Sequence, residues 1–229
     1  MNQSSSIFRH LVAASRGDLF SLAKMPYLFA WLVSFVFHPL MMPTYLNGIV
    51  FKYCTDLVPL TREAKLQILL FIFVTTYLVP TLTTGLLWVS GVVSSISLEK
   101  RSERIIPLVV TSLIYLGVSY ILLEYLQMAR LLGLFMGTVA LAVIITAAIT
   151  NFWKISSHMV GIGGVLGFII SIISKTHNTS LLGPLIGVTI VSGAVASARL
   201  LLGAHGLLQI ILGFFLGFAV SWAAVYFFV

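Results

Sequence analysis

The charged residues of this chain stand in a few short groups. Between them lie apolar stretches of about 20 residues or more, the length that crosses the hydrocarbon core of a bilayer as a helix. That spacing leaves little choice of fold. A soluble domain carries about 25% charged residues; here 8% are charged and 59% hydrophobic, with a mean hydropathy of +1.10. A soluble globular protein is excluded. The net charge of +7 and the pI near 9.8 do not point to nucleic acid, because no basic stretch is long enough for a solvated arm. The fold expected is an all-α, polytopic membrane helical bundle of about six or seven transmembrane helices. Its partners are membrane lipids, with no nucleic acid.

Span one is read from about Tyr27 to Phe51, interrupted by His38-Pro39 and Pro43, whose missing amide donors predict a kinked or broken helix. Span two, about Leu66 to Val93, contains Pro80. Span three opens near Pro107, a residue suited to the first turn of a helix, and runs to about Leu126. The later spans are about Leu131 to Thr150, Ser157 to just before Lys175, Leu181 to Leu200, and the apolar run after Gly203 to Val229. Residues 1–25, with Arg9, Arg16 and Lys24, read as a basic tail or surface helix, and residues 26–229 as one transmembrane domain. Cys54 is the single cysteine, so no internal disulfide forms. Gly161, Gly163, Gly164, Gly167, Gly183, Gly187 and Gly193 are expected where helices pack closely.

Counting crossings turns the list into geometry. The side reached after span two also receives the junction at Asn151–His158 and the segment Arg199–His205. Three polar clusters, separated by roughly 40–50 residues, therefore share one membrane surface, and polar groups at membrane depth mark function. Lys100, Arg101 and Arg104 would share a face if helical and offer donors to phosphate oxygens; the alternative is a positive-inside loop. Ser156, Ser157 and His158 stand where span five begins, a place for an N-cap, an anion and a general acid, or for an ordinary cap and an interfacial histidine. Arg199 and His205 are six apart, so a turn at Gly203 is needed to bring them together. His205 and Gln209, four apart, can pair at the start of span seven, as an oriented nucleophile would; snorkelling and packing are the plainer alternative.

These residues resemble the motifs of the type 2 phosphatidic acid phosphatase superfamily, the membrane relatives of vanadium haloperoxidases: K-x6-R-P, P-S-G-H and S-R-x5-H-x3-D. The third is matched by Ala198-Arg199, five residues, His205, three residues and Gln209. The second is matched in part by Ile155-Ser156-Ser157-His158. The first is matched loosely by Glu99–Pro107, which has the cations and the proline but not the spacing. The resemblance implies a haloperoxidase-like helical core and a lipid-phosphate phosphatase acting on a phospholipid or polyprenyl (pyro)phosphate. His205 would be the nucleophile that forms a phosphohistidine, and His158 the general acid. Arg199, Ser156, Ser157, Lys100, Arg101 and Arg104 would hold the phosphate, with no cofactor and no metal. Gln209 stands where the family has an aspartate, which removes a compensating charge. A relative that binds or flips a lipid phosphate without turnover is therefore the alternative. A small-molecule transporter with broken helices is the third reading. The expected location is multi-pass in a bacterial inner membrane. Basic residues number eight on the site's side against five on the other, but four of the eight are candidate phosphate ligands, which leaves sidedness open. His38 is read as a kink-associated histidine, or else as lining the substrate path.

Overall fold

A computed structural model describes residues 24–98, 100–125 and 130–228; most of the expected N-terminal tail lies outside the described residues. Among them the chain is helical with no strand. In order come α1 (Met25–Val36), α2 (Met42–Tyr53), α3 (Arg62–Phe73), α4 (Val79–Val89), α5 (Ile105–Tyr125), α6 (Arg130–Thr150), α7 (Ser157–Thr176), α8 (Leu182–Leu201) and α9 (Leu207–Phe228). Among the described residues, seven helical segments are long and apolar enough to cross a membrane. The chain is an integral, multi-pass membrane protein. Large side chains such as Phe29, Leu82, Ile190 and Phe215 are exposed, as expected where the solvent is lipid.

The first span is broken where its prolines stand. A short 3-10 turn, Pro39–Met41, separates α1 from α2. The last carbonyls of a helix have no partner within it, and those of α1 find partners elsewhere. Val33 O accepts from Phe37 N, Ser34 O from the His158 ring, and Val36 O from Tyr45 Oη at 2.8 Å. At its far end, Tyr53 O accepts from Asn178 Nδ2 at 2.7 Å and Ser180 Oγ at 3.2 Å, in the turn after α7. His38 thus lies beside the start of α7 and Tyr53 beside its end. The stretch from Pro39 to Tyr53 covers the length of α7, and α1 is a further helix packed on α8. The break expected at His38-Pro39 is therefore present.

Span two bends without losing its hydrogen bonds. Pro80 has no N–H to offer Thr76 O, four residues earlier. A π-helical turn, Val74–Leu78, forms there, and Tyr115 Oη from α5 donates to Thr76 O at 3.0 Å. Tyr115 is 1% exposed, so a buried hydroxyl and an orphaned carbonyl satisfy each other.

The centre of the bundle is the pair α7 and α9, which start on the same side, run in parallel and pack along their length. The contact is built from glycine. A Cβ placed on Gly213 would stand 2.8 Å from Ser156 O, and one on Gly163, Gly167 or Gly217 would run into the carbonyls of Phe214, Phe218 and Val160 respectively. Backbone lies on backbone, as small-xxx-small spacing permits. Gly183, Gly187 and Gly193 of α8 meet nothing within 4 Å. The expectation of close packing therefore fails for them: a Cβ at any of the three would stand in open space.

Candidate functional site

The turn between α8 and α9 shapes the site. Gly203 adopts φ +60, and around it Gly203 N donates to Leu200 O at 2.9 Å and Ala204 N to Arg199 O at 3.1 Å. This is a Schellman end, and its left-handed position suits glycine. It reverses the chain at once, so His205 returns toward the Arg199 side chain. The turn expected at Gly203 is present, and the six-residue spacing brings the two residues together.

A cavity of about 240 Å³ opens at this end of the bundle. Arg104, Ser157, His158, Arg199 and His205 all line it, drawn from the three separate polar clusters of the sequence. Among the described residues, no aspartate or glutamate lines it. Two guanidinium groups without a carboxylate make a surface suited to an anion. Arg104 donates Nε–H to Leu98 O at 2.7 Å, whereas the buried Nε of Arg199 has no partner. Leaving a buried charged donor unmade is costly, and an anionic oxygen is the group that relieves it.

His205 is 7% exposed, and its Nδ1 lies 3.0 Å from Gln209 Oε1. Gly206 N donates to the same oxygen at 3.3 Å, which identifies that atom as the carbonyl end of the amide. Nδ1 is therefore the protonated nitrogen, and Nε2 keeps its lone pair. Burial pushes the His205 pKa down to about 3; the Gln209 bond opposes this, while the charges of Arg199, Lys154 and Arg104 add to it. The ring is neutral at physiological pH. A neutral imidazole with a fixed tautomer and a free Nε2 is what nucleophilic attack requires.

His158 sits in the first turn of α7 with Nε2 3.0 Å from Ser34 O. A carbonyl only accepts, so Nε2 carries the proton and Nδ1 is the nitrogen open to exchange. His38 belongs to the same wall. Its ring centroid lies 5.5 Å from that of His158, edge to face, and its Nδ1 accepts from Leu40 N at 3.3 Å. His38 is the kink-associated histidine expected, capping the turn at the break, and it lines the cavity as well. Its histidine-proline break inside an apolar run was the available signal.

The other predicted ligands lie elsewhere. Lys100 pairs with Glu103 at 3.1 Å, and Arg101 donates to Phe152 O. Residues 102–104 form only a 3-10 turn ahead of α5, so the three cations do not share a helical face. Lys100 and Arg101 do not line the cavity. Ser156 is fully buried, makes no side-chain cap and has an unpartnered Oγ; its N–H donates to Gln209 O at 3.3 Å, tying the starts of α7 and α9 together. The loop before α5 supplies part of the rim. Leu98 holds φ +48, a strained conformation for a bulky residue, and presents its carbonyl to Arg104. Glu103 accepts from Ser94 N and Oγ, both at 2.9 Å, and latches the loop. No signal in the sequence marked Leu98.

Comparison with protein-family models, with curated proteins and with solved structures gave no match.

Proposed function

We propose that this chain is a membrane lipid-phosphate phosphatase of a bacterial inner membrane, a divergent relative of the type 2 phosphatidic acid phosphatases. The observation that carries the reading is the cavity, lined by two guanidinium groups and by no carboxylate among the described residues, where the buried Arg199 Nε meets His205 with its Nε2 lone pair. The two helix N-termini of α7 and α9 add their positive dipole ends to the same place.

In this mechanism Arg199 and Arg104 hold the phosphate oxygens. A phosphate monoester loses its second proton near pH 6, and Nδ1 of His158 takes that proton as the substrate binds. His205 Nε2 attacks phosphorus, the bond from phosphorus to the lipid oxygen breaks, and His158 returns the proton to the leaving oxygen. Water then attacks the phosphohistidine, with His158 accepting its proton, and inorganic phosphate leaves. Gln209 orients His205 throughout but supplies no charge to the imidazolium-like intermediate. That absence favours a second reading, a relative that binds or flips a lipid phosphate at the same cavity without turnover.

The test is phosphate release by the purified full chain from phosphatidate, lysophosphatidate and prenyl phosphates, with His205→Ala beside it. Release that His205→Ala abolishes is the expected result. A folded protein that releases none from the whole panel overturns the hydrolase reading; phosphatidate binding that Arg199→Ala weakens would then favour the binder.

A further inference from the structure

A second cavity, of about 100 Å³, adjoins the cationic one on its bundle side. Pro39, Leu40, Leu108, Thr111 and Ser157 line both. Its deep end is formed by Phe135, Val139, Ala142, Val143, Val165 and Ser221. Two hydroxyls on this wall are turned to backbone: Thr146 Oγ1 donates to Ala142 O at 2.7 Å and Tyr115 Oη to Thr76 O at 3.0 Å. The hollow is mainly apolar, with the hydroxyls of Thr111, Ser157 and Ser221 as the remaining polar groups on its wall. An apolar hollow opening beside an anion site suits an occupant with a charged head and a hydrocarbon body.

The direction of the pair identifies that occupant. From Ser157 to Val165 the wall follows α7 inward for eight residues, roughly 12 Å along a helix. A lipid in a bilayer has the same layout, phosphate at the interface and chain toward the centre. The smaller cavity is enclosed by α5, α6, α7, α9 and the Pro39 turn, and holds far less than the cationic chamber above it. The groove around Tyr45 and Pro184, between α2 and α8, shares Met42 and Val165 with the apolar cavity but no wall with the cationic one, so a second chain from the same phosphate has no separate way into it. We infer that the apolar cavity takes one hydrocarbon chain of the lipid whose phosphate sits among Arg104, Arg199 and His205. The site therefore selects single-chain lipid phosphates over diacyl ones. This rests on the lipid-phosphate reading but not on turnover.

The test uses the full chain in phosphatidylcholine nanodiscs with butyl, octyl and dodecyl phosphate and dioleoyl phosphatidate, each at known concentration per bilayer lipid. KM for phosphate release is measured on the wild type, and the ligand-induced rise in unfolding temperature on His205→Ala. Lengthening the chain from butyl to octyl is expected to tighten binding roughly fivefold or more through packing contacts, with dioleoyl phosphatidate weaker than dodecyl phosphate. Val139→Phe and Val143→Phe, two separate plugs of the deep end, are expected to bring the dodecyl-to-butyl ratio close to one. A wild type indifferent to chain length in both measurements overturns the proposal, as does equal or tighter binding of the diacyl lipid. If no phosphate is released from any substrate, the hydrolase reading falls alone, because the unfolding shift still reports chain-length selection.

Discussion

The ring of His158 and the carbonyl of Ser34 meet at 3.0 Å across 124 residues of sequence. The bond exists because α1 stops short. The break at His38-Pro39 removes the partner that Ser34 O would have in a longer helix, and the imidazole takes its place. His158 is therefore held by the end of α1 while Nδ1 stays available for proton transfer.

That arrangement separates structure from chemistry at one residue. His158→Gln keeps a donor for Ser34 O but cannot transfer a proton. The variant is expected to fold normally and to lose roughly 10²- to 10⁴-fold in turnover of alkyl phosphates. With p-nitrophenyl phosphate, whose leaving group needs no protonation, the loss should be much smaller. An equal loss on both substrates would remove His158 from the role of acid.

His205 sets the pH dependence. Its folded pKa lies at about 3, against an ordinary value near 6.5, so the proposed nucleophile stays neutral through the mildly acidic range. Once corrected for the substrate's own ionisation, kcat/KM should show no inflection from this group near pH 6.5. Stability follows with the opposite emphasis. Between pH 6.5 and 3 the unfolded chain binds a proton at this site that the folded chain does not, so the His205 contribution is complete above about pH 6.5 and drains away as pH falls toward 3. Unfolding of His205→Gln should depend less on pH across that window.

Gln209 gives a gain-of-function prediction. Gln209→Glu places a carboxylate where the amide oxygen now stands 3.0 Å from Nδ1. It is expected to raise kcat by roughly tenfold or more, since a triad carboxylate contributes orders of magnitude. It should also move the acid limb of the profile upward. An unchanged rate would show that the present amide does not limit turnover.

Arg104→Ala and Arg199→Ala should each weaken binding of lipid phosphate at least tenfold, about 1.4 kcal/mol or more, as for charge-assisted bonds. Lys100→Ala should leave it within twofold, because Lys100 is mostly exposed and engaged with Glu103. Equilibrium binding in nanodiscs measures all three.

The helix count, the three polar clusters and their common side were legible in the charge spacing, since a bilayer tolerates polar groups only where something uses them. The pairing of His205 with Gln209 was legible from a four-residue interval, and the reversal at Gly203 from a glycine between two apolar runs. What stayed hidden depends on contacts between distant segments. Lys100 and Arg101 looked like ligands until their partners, Glu103 and Phe152 O, were in place. The glycines of α8 and those of α7 read identically, and only the approach of α9 distinguishes them. His38 could be named but not located, because the fold of α1 decides whether its ring meets His158 or lipid.

The same distinction makes a stability prediction. Gly217→Ala puts a methyl group against Val160 O and should cost about 1–3 kcal/mol, as overpacking does, whereas Gly187→Ala, with open space around it, should be neutral or slightly stabilising. Unfolding temperatures of the two variants in the same detergent decide it.

The glycine seam has a mechanical consequence. His158 rides on the first turn of α7, and His205 stands two residues ahead of α9. With carbonyls seated against glycines along both helices, and Ser156 bonded to Gln209 at their heads, the interval between His158 and His205 is a ruler cut in main chain. The parts of the rim that the seam does not grip are the jointed α1 with its histidine-proline elbow, and Leu98 and Arg104 ahead of α5.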